Sequence, residues 1–213
     1  MAVRTTRAER REQIRADLIA AAGRVFADRG FHQASVEEIA AEAGWSKGAV
    51  FSNFASKSDL FLAVMEERNW RLQAEQARLM RADGSLSGGL AAAGREMASA
   101  IVHDPTWTPL LVEFWTYAAR DEQLLARASA AHEEVLEGYA MLISEVAARD
   151  GLEFVVPSKE VARSAASLAR GLAIERLLDP ASVPDERYQE LFTQHVLRFA
   201  RPRAGSDHGN TEG

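Results

Sequence analysis

The chain has 213 residues, of which 47% are hydrophobic and none is cysteine, and its formal net charge is −6. This composition supports a globular core, and without cysteine neither disulfides nor thiolate metal sites can form. The sequence has no run near 18 apolar residues and no apolar stretch in its basic N-terminus, so we expect a cytoplasmic protein without a membrane span or a signal peptide.

Charge is distributed unevenly along the chain. Residues 1–15 hold five arginines and two glutamates, a balance of +3, and residues 1–60 as a whole have a balance of +1. The remaining residues carry −7. A polyanion would therefore be attracted to the N-terminal end and repelled by the rest of the chain.

The first helix is predicted to begin at a capping box formed by Thr6 and Glu9 and to end at Gly30. Apolar residues recur at helical spacing along it and give it one buried face. Arg4 and Arg7 lie at its start, where the helix macrodipole disfavours cations. A flexible arm that reaches phosphates or a minor groove accounts for that cost better than a solvated helix start does.

Residues 35–61 contain the pattern of two short helices joined by a tight turn. Ser35 and Glu38 form a second capping box, Gly44 ends the helix with a positive φ, and Ser46 caps the next helix. This order predicts a helix-turn-helix. Helical hairpins with small residues at the crossing are common, so the pattern alone leaves an ordinary hairpin as the alternative.

The second helix of this pair carries little bulk on its outer face. Its residues Lys47, Gly48, Ala49 and Ser52 are short or flexible, which suits entry into a DNA major groove about 12 Å wide. We therefore expect Lys47 and Ser52 to face base edges and Ala49 to meet a thymine methyl group.

The rest of the chain is predicted to be helical. A long fourth helix begins at a cap formed by Ser56 and Asp59, and residues 83–89, D-G-S-L-S-G-G, are predicted to break it. Five further helices follow up to Phe199, and no segment has the two-residue period of a strand. The Gly-rich, polar tail at 202–213 is expected to be disordered.

The stretch A-S-V-E-E-I-A-A-E-A-G-W-S-K-G-A-V-F-S-N-F-A-S-K-S-D-L-F closely resembles the helix-turn-helix signature of the TetR family of transcriptional regulators, over roughly residues 10–65. Members of that family usually carry Tyr at the position of Phe51 and often His at that of Asn53. Phe51 has no hydroxyl, so its contact with a DNA backbone can only be apolar, whereas Asn53 can still donate. The resemblance implies a repressor that a small, mostly apolar ligand releases from its operator.

Phosphate contacts are assigned to Ser35, Ser46, Asn53 and Lys57, since each can donate a hydrogen bond to an anion. The complete predicted DNA-binding set is Arg4, Arg7, Ser35, Trp45, Ser46, Lys47, Gly48, Ala49, Phe51, Ser52, Asn53 and Lys57.

Aromatic side chains are dense in the later helices, especially in residues 107–117. Core packing is the commoner role of such residues, and an apolar ligand pocket between bundle helices is the alternative. TetR-like proteins place an inducer pocket in this part of the chain, so the resemblance favours the pocket. Its predicted lining residues are Met97, Trp107, Leu110, Phe114, Trp115, Tyr139 and Met141.

The last two helices have faces rich in alanine, glycine and leucine, which permit close helix packing. Burial within one protomer is one interpretation. The resemblance implies the other, a homodimer in which these helices pair with their symmetry mates, as reading two DNA half-sites requires. The predicted interface residues are Leu168, Leu172, Leu191, His195 and Val196.

No motif for nucleotide binding or hydrolytic catalysis occurs, and the carboxylates are scattered singly, so we expect no enzyme, no cofactor and no metal. His103, Asp104, Glu113 and His132 could meet as a metal site, but lone histidines on helices are usually structural. A helical ligand-binding or adaptor protein that merely retains the hairpin is the runner-up. An enzyme ranks third.

The sequence thus predicts an all-α fold. Residues 1–56 form a three-helix DNA-binding domain, joined by a long helix to a ligand-binding and dimerisation bundle at 57–201. The expected partners are double-stranded operator DNA, a small-molecule effector and a second copy of the chain, with no membrane.

Overall fold

The fold is that of a computed structural model of the protein, and the structure describes residues 6–203. Within that range the chain forms nine helices and one two-stranded ladder. Their bounds are α1 (Arg7–Gln33), α2 (Val36–Glu42), α3 (Lys47–Asn53), α4 (Lys57–Ala82), α5 (Leu86–His103), α6 (Trp107–Ala118), α7 (Glu122–Arg149), β1 (Leu152–Phe154), α8 (Ser158–Leu178), α9 (Asp185–Leu197) and β2 (Ala200–Pro202).

The predicted helix starts of the N-terminal region are confirmed. Thr6 with Glu9 and Ser35 with Glu38 both form complete capping boxes, in which the hydroxyl and the carboxylate each accept a backbone N–H. The Ser46 hydroxyl accepts from the backbone N–H of Ala49 and starts α3. Each cap satisfies amide groups that a helix start leaves unpaired, which explains why these short polar residues fix the boundaries.

Two boundary predictions are corrected. The predicted break at 83–89 is shorter, because Ser85 caps α5 and that helix begins at Leu86. Gly89 of the predicted break serves packing instead, because a Cβ there would lie 2.8 Å from the Met80 carbonyl oxygen of α4. The end of the chain was also expected to be irregular from residue 202, yet Pro202 lies in a strand.

That strand belongs to an antiparallel ladder that the sequence did not predict. β1 pairs with β2 in the register Leu152–Pro202, Glu153–Arg201 and Phe154–Ala200. Each strand has only three residues, too few to show a recognisable alternation of apolar and polar positions. Residues 204–213 of the predicted tail lie outside the described residues.

The described residues divide into two compact units. The first unit takes the chain up to Trp70 together with Pro109–Ser129, and the second takes Arg71–Thr108 and the chain from Ala130 onward. The units are therefore discontinuous in sequence and group the helices differently from the predicted division at residue 56. That functional division stays a prediction.

The first unit has an apolar core beneath α2 and α3. Ile39 and Leu18 are fully buried, and Val50 and Phe54 are 1% and 4% exposed. Ile39 of α2 and Val50 of α3 thus anchor both short helices in this core. Rings from α1, α4 and α6 extend the core: Phe61 stacks on Phe114 with centroids 4.3 Å apart.

The second unit is built around a close contact of α5 with α9, flanked by α8. A Cβ on Gly94 of α5 would lie 3.1 Å from the Cα of Gln189 in α9, so the absence of a side chain permits this approach. Tyr188 is 1% exposed and donates its hydroxyl to the Ala169 carbonyl at 3.3 Å. Burial raises the pKa of that phenol above its ordinary value.

Substitution of Ile39 by alanine tests the core of the first unit. Removing a fully buried branched side chain should lower the free energy of unfolding by roughly 2–5 kcal/mol. Chemical denaturation followed by circular dichroism measures this. Val102→Ala, at a side chain that is 57% exposed, is the control and should change little. Equal stability of the two variants would contradict the assignment of Ile39 to the core.

Candidate nucleic-acid interface

The turn between α2 and α3 is held to α1. Gly44 has φ +70°, a left-handed conformation that glycine adopts without strain. The Trp45 indole N–H donates to the Asp17 carboxylate of α1 at 3.2 Å. Trp45, predicted to contact DNA, is therefore half-buried and anchored at its polar end, and its anchor fixes the angle at which α3 leaves the turn.

The outer face of α3 is solvent-exposed. Lys47, Gly48, Phe51 and Ser52 are exposed, Ala49 and Asn53 are half-buried, and Val50 packs inward. Phe51 is 49% exposed, a large apolar surface for a residue with no packing role in the core. Lys47 and Ser52 are thus both exposed on this helix, whereas Ala49, the third predicted base-reading residue, is half-buried.

Several polar groups of this helix already have partners. The Ser52 hydroxyl and the Asn53 amide both donate to the Ala49 carbonyl, at 2.9 and 2.8 Å. The hydroxyl of Ser35, one residue before α2, donates to Glu38. Ser46 uses its oxygen as an acceptor, which leaves its hydroxyl hydrogen for an outside acceptor. Of the four predicted phosphate contacts, Ser46 therefore needs the least rearrangement.

Lys47 is paired with an acidic residue of α2. Its ammonium forms an ion pair with the Glu37 carboxylate, and it lies 5.8 Å from the centroid of the Phe51 ring. The hydrogen bond from Lys47 lowers the pKa of Glu37 below its ordinary value. Both side chains are exposed, and exposed ion pairs of this kind exchange easily for other partners.

The start of α1 presents a row of arginines. Arg7, Arg10 and Arg11 are exposed, and Arg4 of the predicted arm lies outside the described residues. Arg15, which was not among the predicted DNA-binding residues, lies further along the same helix. Its guanidinium lies 4.4 Å from the Phe54 ring centroid and donates to the Asn53 carbonyl at the end of α3, at 3.4 Å. Arg15 thus adds positive charge beside the exposed face of α3.

Lys57, predicted to hold a phosphate, has a different environment. Its ammonium donates to the carbonyl oxygens of Phe31, His32 and Ala34 at 2.7, 3.1 and 2.9 Å. An ammonium has three N–H donors, so all three serve the C-terminal end of α1. The signal that the sequence analysis lacked is the proximity of α4 to that helix end.

The predicted ligand-binding residues are divided between the two units. Leu110, Phe114 and Trp115 belong to the first unit, where Leu110 and Phe114 are buried in its core. Met97, Trp107, Tyr139 and Met141 belong to the second. Phe114 is wholly buried under other rings and Met141 is 63% exposed, so neither fits a pocket lining.

Met97 and Tyr139 share a different environment. Both are half-buried and pack against the apolar core of the second unit, and burial raises the pKa of Tyr139 to about 12. A separate cavity of about 270 Å³, outside the predicted set, lies beside the β1–β2 ladder. Its lining is Ser144, Ala147, Ala148, Leu152, Glu153, Phe154, Val156, Ser158 and Arg203.

The predicted dimer residues also differ in exposure. Leu172 and Val196 are 9% and 1% exposed in the single chain, so they are committed to the core of their own protomer. Leu168, Leu191 and His195 are half-buried. The apolar surface of α8 lies instead on side chains that the sequence analysis passed over, namely Ile174, Leu177 and Leu178.

Within residues 6–203, no cluster of histidine and acidic side chains could hold a metal ion. No helix of that range is both long and apolar enough to cross a membrane.

Two family models match the chain. One, described as bacterial regulatory proteins of the tetR family, matches residues 18–64. The other, described as the C-terminal part of BetI-type transcriptional repressors, matches residues 88–201. The first covers α2, α3 and most of the first unit's core, and the second covers more than half of the chain.

Among curated proteins, the HTH-type transcriptional activator FasR of Mycolicibacterium smegmatis is 35% identical over 103 residues, which are 48% of this chain and 47% of that protein. The chain spans less than half the length of the curated relatives it matches.

Solved structures share the fold. A Mesorhizobium loti protein assigned to the TetR family has a TM-score of 0.71 at 21% identity, covering 92% of this chain and 99% of that one. FadR of Bacillus subtilis, in complex with stearoyl-CoA, has a TM-score of 0.66 at 15% identity, covering 85% and 96%.

Replacement of Glu37 by glutamine tests the charge of this surface. Removing an acidic group beside Lys47 should raise the affinity for any duplex roughly two- to fivefold at low salt. Fluorescence anisotropy with labelled DNA measures this. Glu134→Gln, at an exposed residue of α7 in the second unit, changes the net charge equally and should have no such effect. A fall in affinity for Glu37→Gln would show instead that Glu37 is needed to orient Lys47.

Proposed function

The chain belongs to the TetR family of transcriptional regulators, and from this membership we propose that it is a dimeric repressor, which a small, mostly apolar ligand releases from a two-fold symmetric operator. DNA binding is the part that the geometry supports most directly. The helical adaptor protein without operator-specific regulation is not favoured, because the match extends over the helix-turn-helix and over the later helices alike.

The exposed face of α3 is the observation that carries this proposal. A seven-residue helix presents Lys47 and Ser52 to solvent while Val50 and Trp45 attach it to the rest of the unit. An element of this size enters the major groove, where Lys47 donates to a guanine edge, Ser52 meets a neighbouring base and Ala49 meets a thymine methyl group.

Contacts outside the bases orient the protein on the duplex. Ser46 donates to a phosphate directly, and Ser35 and Asn53 do so after exchange of their bonds with Glu38 and Ala49. Phe51 packs its exposed ring on the sugar-phosphate backbone. Arg4 and Arg7 extend this attraction as an arm, together with Arg10, Arg11 and Arg15. Lys57 is not included among these contacts, because carbonyl oxygens occupy its ammonium.

Dimerisation follows from the way DNA is read. Symmetric half-sites about one helical turn apart require two copies of α3. The exposed residues Gly171, Ile174 and Leu178 recur at i, i+3 and i+7 on α8 and form one stripe, and burial of such a stripe stabilises association. With the half-buried Leu168, Leu191 and His195, this stripe is the proposed interface. It replaces the predicted contacts of Leu172 and Val196.

The ligand is proposed to bind in the second unit, next to Met97, Tyr139 and Trp107. Methionine adapts to the outline of an apolar ligand and a tyrosine ring buries a large area. FadR of Bacillus subtilis is described in complex with stearoyl-CoA, which makes long-chain acyl-CoA the first compounds to test. Repression is the proposed direction of control, in keeping with the BetI-type match, although FasR is named an activator.

The function itself is tested by selecting an operator from a random duplex library with the wild-type protein and measuring Lys47→Ala against single-base variants. Loss of a direct base contact should cost about 1–3 kcal/mol and relax the preference at one base pair of each half-site. Val102→Ala is the control. A uniform loss across all variants would assign Lys47 to the phosphate backbone, and a wild type that selects no sequence would refute the proposed function.

Ile174→Glu tests the interface. A charge in the middle of the apolar stripe should give monomers, which bind a full operator weakly because each lacks the second half-site. Analytical ultracentrifugation measures the mass, and Val155→Glu, at another exposed apolar residue of the second unit, is the matched control. An intact Ile174→Glu dimer would move the interface away from α8.

Ligand control is tested by calorimetry with stearoyl-CoA in the presence and absence of the selected operator. Linkage requires that a ligand which weakens operator binding is itself bound more weakly by the DNA complex, typically by a factor of about 5–150. Tyr139→Ala should reduce ligand affinity and leave ligand-free operator binding unchanged. Equal stearoyl-CoA affinity with and without the operator would argue against release by this compound.

A further inference from the structure

Gly30 has non-helical backbone dihedral angles and interrupts α1, so residues 30–34, the Gly30–Ala34 link, form a short segment that leads into Ser35 and α2. This link is bound from one side by an acidic residue distant in sequence. The Glu113 carboxylate of α6 accepts the backbone N–H of Phe31 at 3.0 Å and that of His32 at 2.7 Å. All of these residues belong to the first unit. Bonds from neutral N–H groups to an ionised acceptor are about twice as strong as neutral ones, so α6 is fixed to this link by a strong polar contact.

The other side of the same link is bound by a positively charged residue. Lys57, the first residue of α4, donates to the carbonyl oxygens of Phe31, His32 and Ala34. Burial lowers the pKa of Lys57, and the negative charge of Glu113 opposes that shift. A half-buried ammonium is costly unless its donors are satisfied, and here the helix end supplies the acceptors.

The backbone is shaped for this arrangement. Gly30 has φ +76°, and a Cβ at that position would lie 2.9 Å from the Glu113 Oε2 atom. Any other residue would be strained and would displace the carboxylate. The sequence therefore leaves space for Glu113 at the point where the N–H groups of Phe31 and His32 turn toward α6.

Apolar and ionic contacts reinforce the position of α6 and α7. The Phe31 ring lies 5.2 Å from that of Phe114 and 4.9 Å from that of Tyr117. Asp59 of α4 forms an ion pair with Arg127 of α7. The segment Pro109–Ser129 thus packs with α1–α4 rather than standing apart from them.

We propose that Glu113 and Lys57 are positioning residues that together fix the Gly30–Ala34 link and hence the start of α2, so that α6 is a structural part of the DNA-binding unit and its attachment sets operator affinity without touching DNA. This proposal rests on the proposed function. Since Ala34 leads directly into the Ser35 cap, a loosened link lets α2 and α3 depart from the geometry that fits the groove.

A loosened link should lower operator affinity without changing how steeply that affinity depends on salt. Apparent affinity falls in proportion to the fraction of molecules in the binding-competent geometry. The number of phosphates contacted in the bound state does not change, so the dependence of affinity on salt keeps its slope. A lysine that held a phosphate would instead lower that slope by about one unit when removed.

The first experiment uses the full chain without DNA. Hydrogen exchange of the Phe31 and His32 amides is compared between wild type and Glu113→Gln, in which one of the two acceptor oxygens is replaced by an NH₂ group. Exchange of these two amides should accelerate, while Glu134→Gln leaves it unchanged. Unaltered exchange in Glu113→Gln overturns the proposal, whether or not the protein binds DNA.

The second experiment measures affinity for the selected operator over a range of salt concentrations. Glu113→Gln and Lys57→Met should each bind roughly tenfold more weakly with the wild-type slope. Thermal melting identifies folded variants. If Lys57→Met does not fold, the affinity and salt slope of Glu113→Gln alone test the positioning role. If the salt dependence of operator affinity had a slope reduced by about one unit for Lys57→Met, Lys57 would contact a phosphate, and its positioning role would be overturned. Wild-type affinity in Glu113→Gln overturns the control by α6.

Discussion

Helices of seven residues do not persist alone in water, because nucleation costs more than a single turn returns. Both α2 and α3 have that length, so their existence depends on tertiary burial. Ile39 and Val50 supply it, at 0% and 1% exposure. The remaining features of the first unit, its caps, its anchored turn and its aromatic core, keep these two short helices in one orientation on α1.

Some polar groups of the first unit are bonded within the chain, and others can bind a partner outside it. The Lys57 ammonium, the Trp45 indole N–H and the Ser35 hydroxyl are used within the chain. Lys47 and Ser46 keep donors that can turn outward, and the arginines at the start of α1 are exposed. Affinity for a polyanion therefore depends on fewer residues than the positive charges in the sequence suggest. The groups that are bonded within the chain instead keep the helices of the first unit in place.

The apolar residues of α6 show that the same residue types can form either a ligand pocket or a protein core. Phe114 and Leu110 were candidates for a ligand pocket, yet they complete the core of the unit that carries α3. A helix that shares its core with the DNA-binding helices is well placed to influence them, whatever its distance from the ligand. The proposed ligand contacts, Met97 and Tyr139, belong to the second unit.

The sequence by itself determined the local features of the fold. Capping boxes, the Gly44 turn and the apolar periodicity of each helix are short-range signals, because they depend on residues three or four apart. They predicted the helix-turn-helix and the helix order. The exposed face of α3 also followed from its spacing, since neighbours on a helix surface are fixed by its geometry.

Only the tertiary structure decided which partner each long side chain meets. Lys57 reaches carbonyls 23 to 26 residues away, and Glu113 reaches amides 82 and 81 residues away. No local pattern records such distances, because they arise from how α4 and α6 pack on the end of α1. The same holds for Leu172 and Val196, whose burial depends on neighbouring helices, and for the β1–β2 ladder, whose three-residue strands are defined by the pairing itself.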